Sequence, residues 1–331
     1  MKDLGERLQS ARSVGWSPEE PGKVLVDTGK YTWPLASGPS PDGIAMARHA
    51  ATVDDGSASA PLPVLAGRAQ GRRAWGVLRG DVDSLGVRLR RAQTIEEHVE
   101  ISVMYRQFFA GELELICSLP DYWRKVSILY TGGDDFAVYG SWDALIPLAR
   151  EIQRLFHRFS EENLKDFPGP EGKTISMAIA LAPDADATLA SIYEDAGWLL
   201  ELAKSADKDC IFLFGQTLEW RQLAAASDLR ETMLRMAAEL DSPRRFLVDL
   251  TAFYRKATAA RRRGPTSGRH FEKPWQAQRL LNRALGETRD KELQKLRTHL
   301  TNEILAKGAT QVKLRPGGHV ALEWARLLAE V

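Results

Sequence analysis

The chain has 331 residues, with 45 Lys and Arg against 44 Asp and Glu and a formal net charge of +1 at pH 7. Its length allows two domains and a linker, and its 44% hydrophobic and 27% charged residues are typical of a globular protein rather than a disordered one. No run of 18 apolar residues predicts a spanning helix, and Met1–Glu6 has no apolar run behind it, so we expect a cytoplasmic protein with no membrane partner.

Residues 1–70 are predicted to be an N-terminal extension or linker. They are polar up to residue 22, and one short apolar run, Val24–Val26, follows. Residues 36–65 are rich in Gly, Ser, Pro, Ala and Asp, which is typical of a connector with little core of its own. A short helix around Ile44–Ala51 is the one further element expected there.

Residues 71–217 have the pattern of a compact α+β domain, and they begin with a strand, Trp75–Val82, that ends in carboxylates. Thr94-Ile95-Glu96-Glu97 has the form of a capping box and predicts a long helix to about Ser118. Its apolar residues at helical spacing include Ile95, Val99 and Val103.

A β-hairpin is predicted next, because the apolar runs Val126–Tyr130 and Phe136–Tyr139 flank Thr131-Gly132-Gly133-Asp134-Asp135. The elements that follow are a helix capped by Ser141, a strand at Thr174–Leu181, a helix capped by Thr188 and a strand at Cys210–Phe214. The order β-α-β-β-α-β-α-β contains the ferredoxin-like unit with one extra helix and strand. Right-handed crossovers predict that the helices cover one face of a mostly antiparallel sheet and leave the other face for a ligand or partner.

Residues 218–331 are predicted to form an all-α helical domain. The helices are expected at Trp220–Leu240, Pro243–Ala260, Pro274–Leu285, Asp290–Ala306 and Val320–Ala329. From residue 244 onward the chain has 19 basic and 8 acidic residues, which indicates contact with nucleic acid or an acidic partner, or alternatively a solvated helical surface. Arg261, Arg262 and Arg263 are the candidates for contact with RNA or a partner, although this stretch also fits an exposed loop.

Two carboxylate pairs are the candidate catalytic and metal-binding residues. Asp81 and Asp83 follow the first strand, and Asp134 and Asp135 occupy the hairpin turn. Like charges about 4 Å apart repel by roughly 4 kcal/mol at an effective dielectric of 20, so such a cluster needs protonation or a cation. Oxygen ligands without nearby His or Cys favour Mg²⁺ or Mn²⁺ in a two-metal site. We predict Asp81, Asp134 and Asp135 as catalytic metal ligands, and for Asp83 a structural hydrogen-bonding role is an equal alternative.

Residues around these carboxylates are candidates for binding a nucleotide. Gly132 and Gly133 permit positive φ and a close approach of the backbone to a nucleotide. Ser84 lies beside the carboxylates and is a weak candidate for a ribose or phosphate contact. Lys204 and Lys208, at and just after the end of a helix, are placed to pair with a triphosphate, or alternatively they are exposed lysines that favour the helix dipole.

Four segments of the sequence resemble one known family. Asp81-Val82-Asp83-Ser84-Leu85-Gly86, Phe108-Phe109-Ala110-Gly111, Tyr130–Phe136 and Ala203-Lys204 with Lys208-Asp209 are similar to the second palm domain of the large subunit of type III CRISPR effector complexes. The basic helical segment is similar to the C-terminal helical domain of that subunit. The resemblance covers most of the chain.

The resemblance implies that the chain converts ATP to cyclic oligoadenylate when its complex binds target RNA. The 3′-hydroxyl of one ATP attacks the α-phosphate of another, with Asp81 and Asp134 as the leading metal ligands and Asp135 assisting. The implied partners are CRISPR RNA, target RNA, small helical subunits and a second palm. That second palm is expected from another chain, a second copy, or a longer natural chain, because nothing here resembles the family's nuclease domain, first palm or zinc insert.

Some features depart from the family, and two alternative functions remain. Ser84 replaces the usual Asn, and Ser176-Met177-Ala178 lacks a glycine common in that strand. One alternative is a non-catalytic scaffold subunit of the same ribonucleoprotein. The other is a stand-alone cyclase that resembles the diguanylate cyclases, although the basic helical tail disfavours it.

Overall fold

A computed structural model describes residues 47–184, 186–206, 208–238 and 316–330, four N-terminal strands, and isolated positions between 247 and 298. The chain divides into two compact units. One contains Met1–Ala69 and Ala74–Lys204, and the other contains Gln70–Arg73 and Ser205–Val331. Within the described residues no helix combines the length and apolarity needed to cross a bilayer.

The N-terminal segment contains a small sheet that the sequence prediction missed. Its strands are β1 (Ser13–Trp16), β2 (Lys23–Asp27), β3 (Thr32–Ala36) and β4 (Ile44–Ala45). The order is β1-β2-β3-β4, with the first two pairings antiparallel and the β3–β4 pairing parallel. The prediction of a helix around Ile44–Ala51 was wrong, because Ile44–Ala45 is a strand and residues 47–51 are not helical.

Residues 47–69 contribute to the core of the first unit rather than forming a bare connector. Ala51 N donates to Val126 O at 3.2 Å, and Ile128 N donates to His49 O at 2.8 Å, so this segment pairs with the strand that contains Val126. Ala51, Ala60 and Leu65 are buried together, and Leu65 lies in the short helix α1 (Leu62–Gly67). The small residues that predicted a linker here are the ones that allow this close packing.

The remainder of the first unit is the predicted palm-like fold. Its elements are β5 (Trp75–Val82), α2 (Leu85–Arg91), α3 (Ile95–Gln107), a π-helical turn (Phe108–Glu112), α4 (Leu113–Cys117), β6 (Val126–Thr131), β7 (Asp135–Ser141), α5 (Trp142–Asn163), β8 (Ile175–Leu181) and α6 (Leu189–Ala206). The strand order in this unit is β8-β5-β7-β6, with every neighbouring pair antiparallel. This is the order of a ferredoxin-like unit, and the α+β prediction is confirmed.

Helix α3 begins at the predicted cap residue Thr94, and the return bond from Glu97 reaches Gln93 N rather than Thr94 N. Thr94 Oγ1 accepts from Glu97 N at 3.1 Å, and Glu97 Oε2 accepts from Gln93 N at 2.9 Å. Two otherwise unpaired N–H groups are thereby satisfied at the start of the helix. Ser141, by contrast, does not cap α5: its hydroxyl donates to Leu65 O at 2.6 Å and ties α1 to the sheet.

One face of the sheet, the aromatic face, is covered by the helices that cross between strands. Phe136 and Met177 flank Gly80 on this face, and a Cβ at Gly80 would lie 2.3 Å from the Phe136 ring. The glycine therefore leaves the space that the ring fills. The rings that pack here come from α3, the π turn, β7 and α5: Tyr105, Phe108, Phe109, Phe136, Phe156 and Phe159.

The opposite face, the site face, is also covered in part, which corrects the expectation of an open face. Ile192 and Ala196 of α6 pack against Trp75, Val77 and Ala180 of the sheet. The extra helix therefore lies on this face, and only the end of the sheet nearest the hairpin turn keeps its polar side chains accessible.

The second unit contains a hairpin and two well-defined helices. The strands β9 (Cys210–Leu213) and β10 (Gln216–Glu219) are antiparallel, and they precede α7 (Trp220–Ala238) and α8 (Pro316–Ala329). Strand β10 was missed because Phe214, in the turn, has a φ of 50°, a conformation that rarely suits Phe. The helices predicted at Trp220–Leu240 and Val320–Ala329 are confirmed, and the other three lie mostly outside the described residues.

Polar contacts join the helices of this unit. The Arg230 guanidinium lies 4.1 Å from the centroid of the Trp324 ring, which joins α7 to α8. Glu323 is only 5% exposed and pairs with Arg255 Nε at 2.5 Å and Arg326 Nε at 3.1 Å. Two cations thus compensate a buried carboxylate.

Candidate functional site

The sheet register brings the two predicted carboxylate motifs together on the site face. Asp81, at the end of β5, pairs with Asp135, at the start of β7, and with Ser176 of β8. Residues that are paired in an antiparallel sheet point to the same face, so Asp81 and Asp135 are neighbours. Val82 N also donates to Asp134 O at 2.9 Å, which fixes the turn against the end of β5.

The two glycines of the turn have different surroundings. A Cβ at Gly132 would lie 2.0 Å from Asp135 Oδ1, whereas a Cβ at Gly133 would meet nothing within 4 Å. Neither glycine has a positive φ, so the turn does not use the left-handed backbone that glycine permits. Gly132 is required because the Asp135 carboxylate folds back over it, and Gly133 leaves an exposed, open stretch of backbone.

Negative charge at the site is only partly compensated. Burial raises the pKa of Asp81 above its usual value; Lys204 opposes this shift, and Asp134 and Asp135 add to it. Burial and the neighbouring Asp135 likewise raise the pKa of Asp134. Lys204 Nζ lies 2.7 Å from Asp81 Oδ1, so the predicted lysine of α6 does reach the carboxylates.

Asp83 is held in a different way from the other three carboxylates. It is 2% exposed, and its Oδ1 and Oδ2 accept hydroxyl hydrogen bonds from Ser176 and Thr174, each at 2.8 Å. Gly172 N also donates to its backbone oxygen. This geometry favours the structural alternative, in which Asp83 ties the end of β5 to β8.

The backbone at Ser84 adopts a conformation that few residue types tolerate. Its φ of 60° places it in the left-handed region, where Asn is tolerated better than most residues. The Asn that the family uses at this position therefore fits the turn into α2. The substrate contact predicted for Ser84 remains a prediction.

The remaining predicted binding residues are Lys208, Arg261, Arg262 and Arg263. Lys208 has a φ of 58° and belongs to the second unit. Arg261, Arg262 and Arg263 lie outside the described residues. Their roles stay predictions.

Three residues that the sequence analysis did not select as site residues form a series of contacts that ends at Asp135. Tyr130 donates from its hydroxyl to Asp135 Oδ2 at 2.7 Å, and its ring meets that of Tyr193 edge to face at 6.1 Å. The Arg79 guanidinium stacks on Tyr193 at 4.2 Å. Alternation along β5 from Asp81 places Arg79 on the site face, which is the one sequence signal for it.

The donor set of the site fits a divalent cation. Asp81, Asp134 and Asp135 supply only hard oxygen ligands, and burial, with a smaller contribution from the neighbouring carboxylates, raises the pKa of Asp81 and Asp134. Within the described residues no three His, Cys, Asp or Glu side chains are already gathered to hold a metal ion. In this structure Lys204 holds Asp81, and Tyr130 holds Asp135.

A ferredoxin-like sheet with an Asp-ended central strand beside a Gly-Gly-Asp-Asp hairpin defines a palm-type domain. The family description "Cas10/Cmr2, second palm domain" matches residues 74–212. The palm-type domain of this chain thus matches the second palm domain of the Cas10/Cmr2 family, as the sequence resemblance predicted.

Curated relatives agree with this assignment. The chain is 28% identical over 172 residues to the single-strand-specific deoxyribonuclease Cas10/Csm1 (subtype III-A) of Enterococcus italicus, and the match covers 50% of this chain. It is 29% identical over 178 residues to the protein of the same name from Mycobacterium tuberculosis, with 47% of this chain covered. In both cases the match spans only 21% of the relative.

Solved structures share the fold over a longer stretch. Csm1 of T. onnurineus matches 90% of this chain with a TM-score of 0.59 at 18% identity, over 45% of its own length. A Csm1–Csm4 cassette in complex with cA4 matches 90% with a TM-score of 0.61, and a cassette with pppApApA matches 99% with a TM-score of 0.60, both at 17% identity. The chain thus corresponds to about half of these larger proteins.

Proposed function

We propose that this chain is the cyclase half of a type III CRISPR large subunit, which joins ATP molecules into cyclic oligoadenylate. The observation that carries the proposal is the register of Asp81 with Asp135 in a domain of the Cas10/Cmr2 second palm family. Structural relatives that contain cA4 and pppApApA support the choice of adenine nucleotides.

In this proposal each site residue has a defined task. Asp81, Asp134 and Asp135 would hold Mg²⁺ or Mn²⁺, which supplies charge neutralisation at phosphate and a lowered pKa for the attacking hydroxyl. Lys204, 2.7 Å from Asp81, is placed to pair with a triphosphate. Gly133 leaves backbone open to a nucleotide, and Asp83 keeps the end of β5 in place through Ser176 and Thr174.

The reaction would be a nucleotidyl transfer. A bond forms between the 3′-oxygen of one adenosine and the α-phosphorus of a second ATP, and the bond to pyrophosphate breaks. The 3′-hydroxyl proton leaves to solvent. Repetition of this step lengthens the chain of nucleotides, and the same attack within one oligomer closes the ring.

The proposed setting is a cytoplasmic ribonucleoprotein. Its other components would be CRISPR RNA, target RNA, small helical subunits, and a second palm that completes the ATP site. Structural relatives form cassettes with Csm4, so a subunit of that type is a further proposed partner. The basic segment with Arg261–Arg263 is the proposed RNA or partner contact.

The test is product formation by the assembled complex. With partners, ATP, Mg²⁺ and target RNA, wild-type chain is expected to produce oligoadenylate that chromatography and mass spectrometry detect. Asp134→Ala/Asp135→Ala should abolish the product without loss of assembly. Product at wild-type levels from this variant would contradict the proposal.

Two alternatives correspond to other outcomes of the same measurements. A scaffold subunit would assemble but would bind neither ATP nor Mn²⁺, in the isolated chain or in the complex. A stand-alone cyclase would convert GTP, without RNA, in preference to ATP.

A further inference from the structure

We propose that Tyr130 is a positioning residue for Asp135, held in place by Tyr193 and Arg79. This inference rests on the proposed function and deepens it, because it assigns a task to three residues outside the carboxylate, glycine and lysine set. Its central observation is the hydrogen bond of 2.7 Å from the Tyr130 hydroxyl to Asp135 Oδ2.

The backbone of β6 is shaped to present Tyr130 on the site face. Ser127 pairs with Tyr139, and Ile128 pairs with Val138, but after an irregularity Tyr130 pairs with Ala137. The extra residue in β6 is a bulge, which reverses the alternation of side chains from that point. Without it, regular alternation would place residue 130 on the aromatic face rather than beside Asp135.

A second layer of contacts holds the Tyr130 ring. Tyr193 meets it edge to face, with centroids 6.1 Å apart and planes at 69°. Arg79 stacks on Tyr193 at 4.2 Å, and its Nη1 donates to Tyr193 O at 3.5 Å. Arg79 Nε is buried and has no hydrogen-bond partner among the described residues.

Gly197 of α6 makes room for that stack. A Cβ at residue 197 would lie 2.4 Å from Arg79 Nη1. The series Gly197, Arg79, Tyr193, Tyr130 and Asp135 is therefore packed continuously from the helix to the turn. This packing restricts the rotation of Tyr130 and fixes the direction of its hydroxyl.

The effect on Asp135 is to select one carboxylate orientation. Burial and the neighbouring carboxylate raise the pKa of Tyr130, so its hydroxyl stays a donor. Oδ2 is held by Tyr130, while Oδ1 lies over Gly132. A ligand carboxylate that is already oriented loses less freedom when it binds a cation, and such supporting hydrogen bonds typically change metal affinity about 10–100-fold.

The test compares Tyr130→Phe with Tyr139→Phe. Tyr139 lies on the same face of the sheet, and its hydroxyl makes no hydrogen bond within the described part of the chain, so its variant is a matched control. Mn²⁺ affinity is measured by electron paramagnetic resonance, with and without saturating ATP, and folding is checked by circular dichroism. We expect Tyr130→Phe to bind Mn²⁺ about tenfold more weakly, and Tyr139→Phe to match the wild type.

A double-mutant cycle separates positioning from a general structural role. If Tyr130 acts through Asp135, its loss should have no further effect on Mn²⁺ affinity in the Asp135→Asn background. Equal affinity for wild type and Tyr130→Phe, or an unchanged effect in that background, would overturn the inference alone. A wild-type chain that binds no Mn²⁺ even with ATP would contradict the proposed function as well.

Discussion

Asp134 lies in an environment that disfavours its ionised form. Burial and Asp135 raise its pKa, so the folded chain binds the proton of this carboxyl more tightly than the unfolded chain does. Such a group contributes stability while it is protonated, and that contribution is lost as the pH rises from the unfolded pKa through the raised folded value. At neutral pH the metal-free site is therefore a local cost to the fold.

Asp134→Asn should consequently stabilise the metal-free chain while it removes a metal ligand. Asn resembles the neutral acid, so we expect the Tm at pH 7 to rise by up to about 2 °C and the difference to shrink as the pH falls towards 4. Differential scanning fluorimetry in EDTA measures this, and the exposed Asp166→Asn is the control. A lower Tm for Asp134→Asn at pH 7 would show that burial and repulsion do not dominate there.

At the scale of single residues, the sequence reveals the groups whose chemistry is unusual and misses those that support them. Asp81 and Asp135 were predicted to approach one edge of the sheet. The predicted strand order and the two carboxylate motifs were sufficient for that prediction. Tyr130 was missed because its place beside Asp135 depends on a bulge in β6, which no local signal in the sequence marks. Ser141 was predicted to cap the helix that follows it, but its hydroxyl donates a hydrogen bond to Leu65 O instead.

The hairpin between β6 and β7 is the element in which shape and chemistry are most closely joined. Its turn has one glycine under the Asp135 carboxylate and one in open space. The two positions thus provide a paired experiment on the same turn.

Gly132→Ala should displace the Asp135 side chain, because its Cβ would lie 2.0 Å from Oδ1. The carboxylate can swing away, so we expect little change in Tm but about a tenfold loss of Mn²⁺ affinity. Gly133→Ala should keep the wild-type affinity for Mn²⁺. Calorimetric titration with Mn²⁺ measures the affinity of both variants. Equal losses of affinity in the two variants would contradict a special role for Gly132.

Helix α3 and the π turn after it show where periodicity misleads. Ile95, Val99 and Val103 recur at the helical spacing that predicted an amphipathic helix, yet they are 80%, 45% and 38% exposed. Ile101 and Tyr105 are buried instead, because the neighbouring aromatic cluster selects the face that holds Tyr105 and Phe108. Spacing predicts a helix, but it does not decide between two apolar stripes on that helix.

On the scale of the whole molecule, the chain corresponds to about half of its structural relatives. The order of elements in the palm was predictable because its strands and helices are marked by local apolar spacing and by turn residues between them. The N-terminal strands β1–β4 were not predicted, because a composition typical of a linker gives no sign that separate segments pair as strands. The partner palm is part of the proposal.

The source of that second palm has a kinetic signature. If a second copy supplies it, the rate of oligoadenylate formation per chain should rise with chain concentration, because the active species is a dimer. If another subunit supplies it, the isolated chain should bind ATP but form no product at any concentration, and addition of that subunit should restore activity. If the isolated chain forms oligoadenylate at a rate per chain that does not change with chain concentration, both arrangements are excluded.

The ion pair between Lys204 and Asp81 places an internal counter-ion where a divalent cation would bind. A cation that binds Asp81 Oδ1 would compete with the lysine, and a triphosphate that attracts the lysine would make Asp81 easier to occupy. By thermodynamic linkage each ligand then raises the affinity for the other by the same factor. The site would thus remain largely closed to free magnesium and respond to metal and nucleotide arriving together.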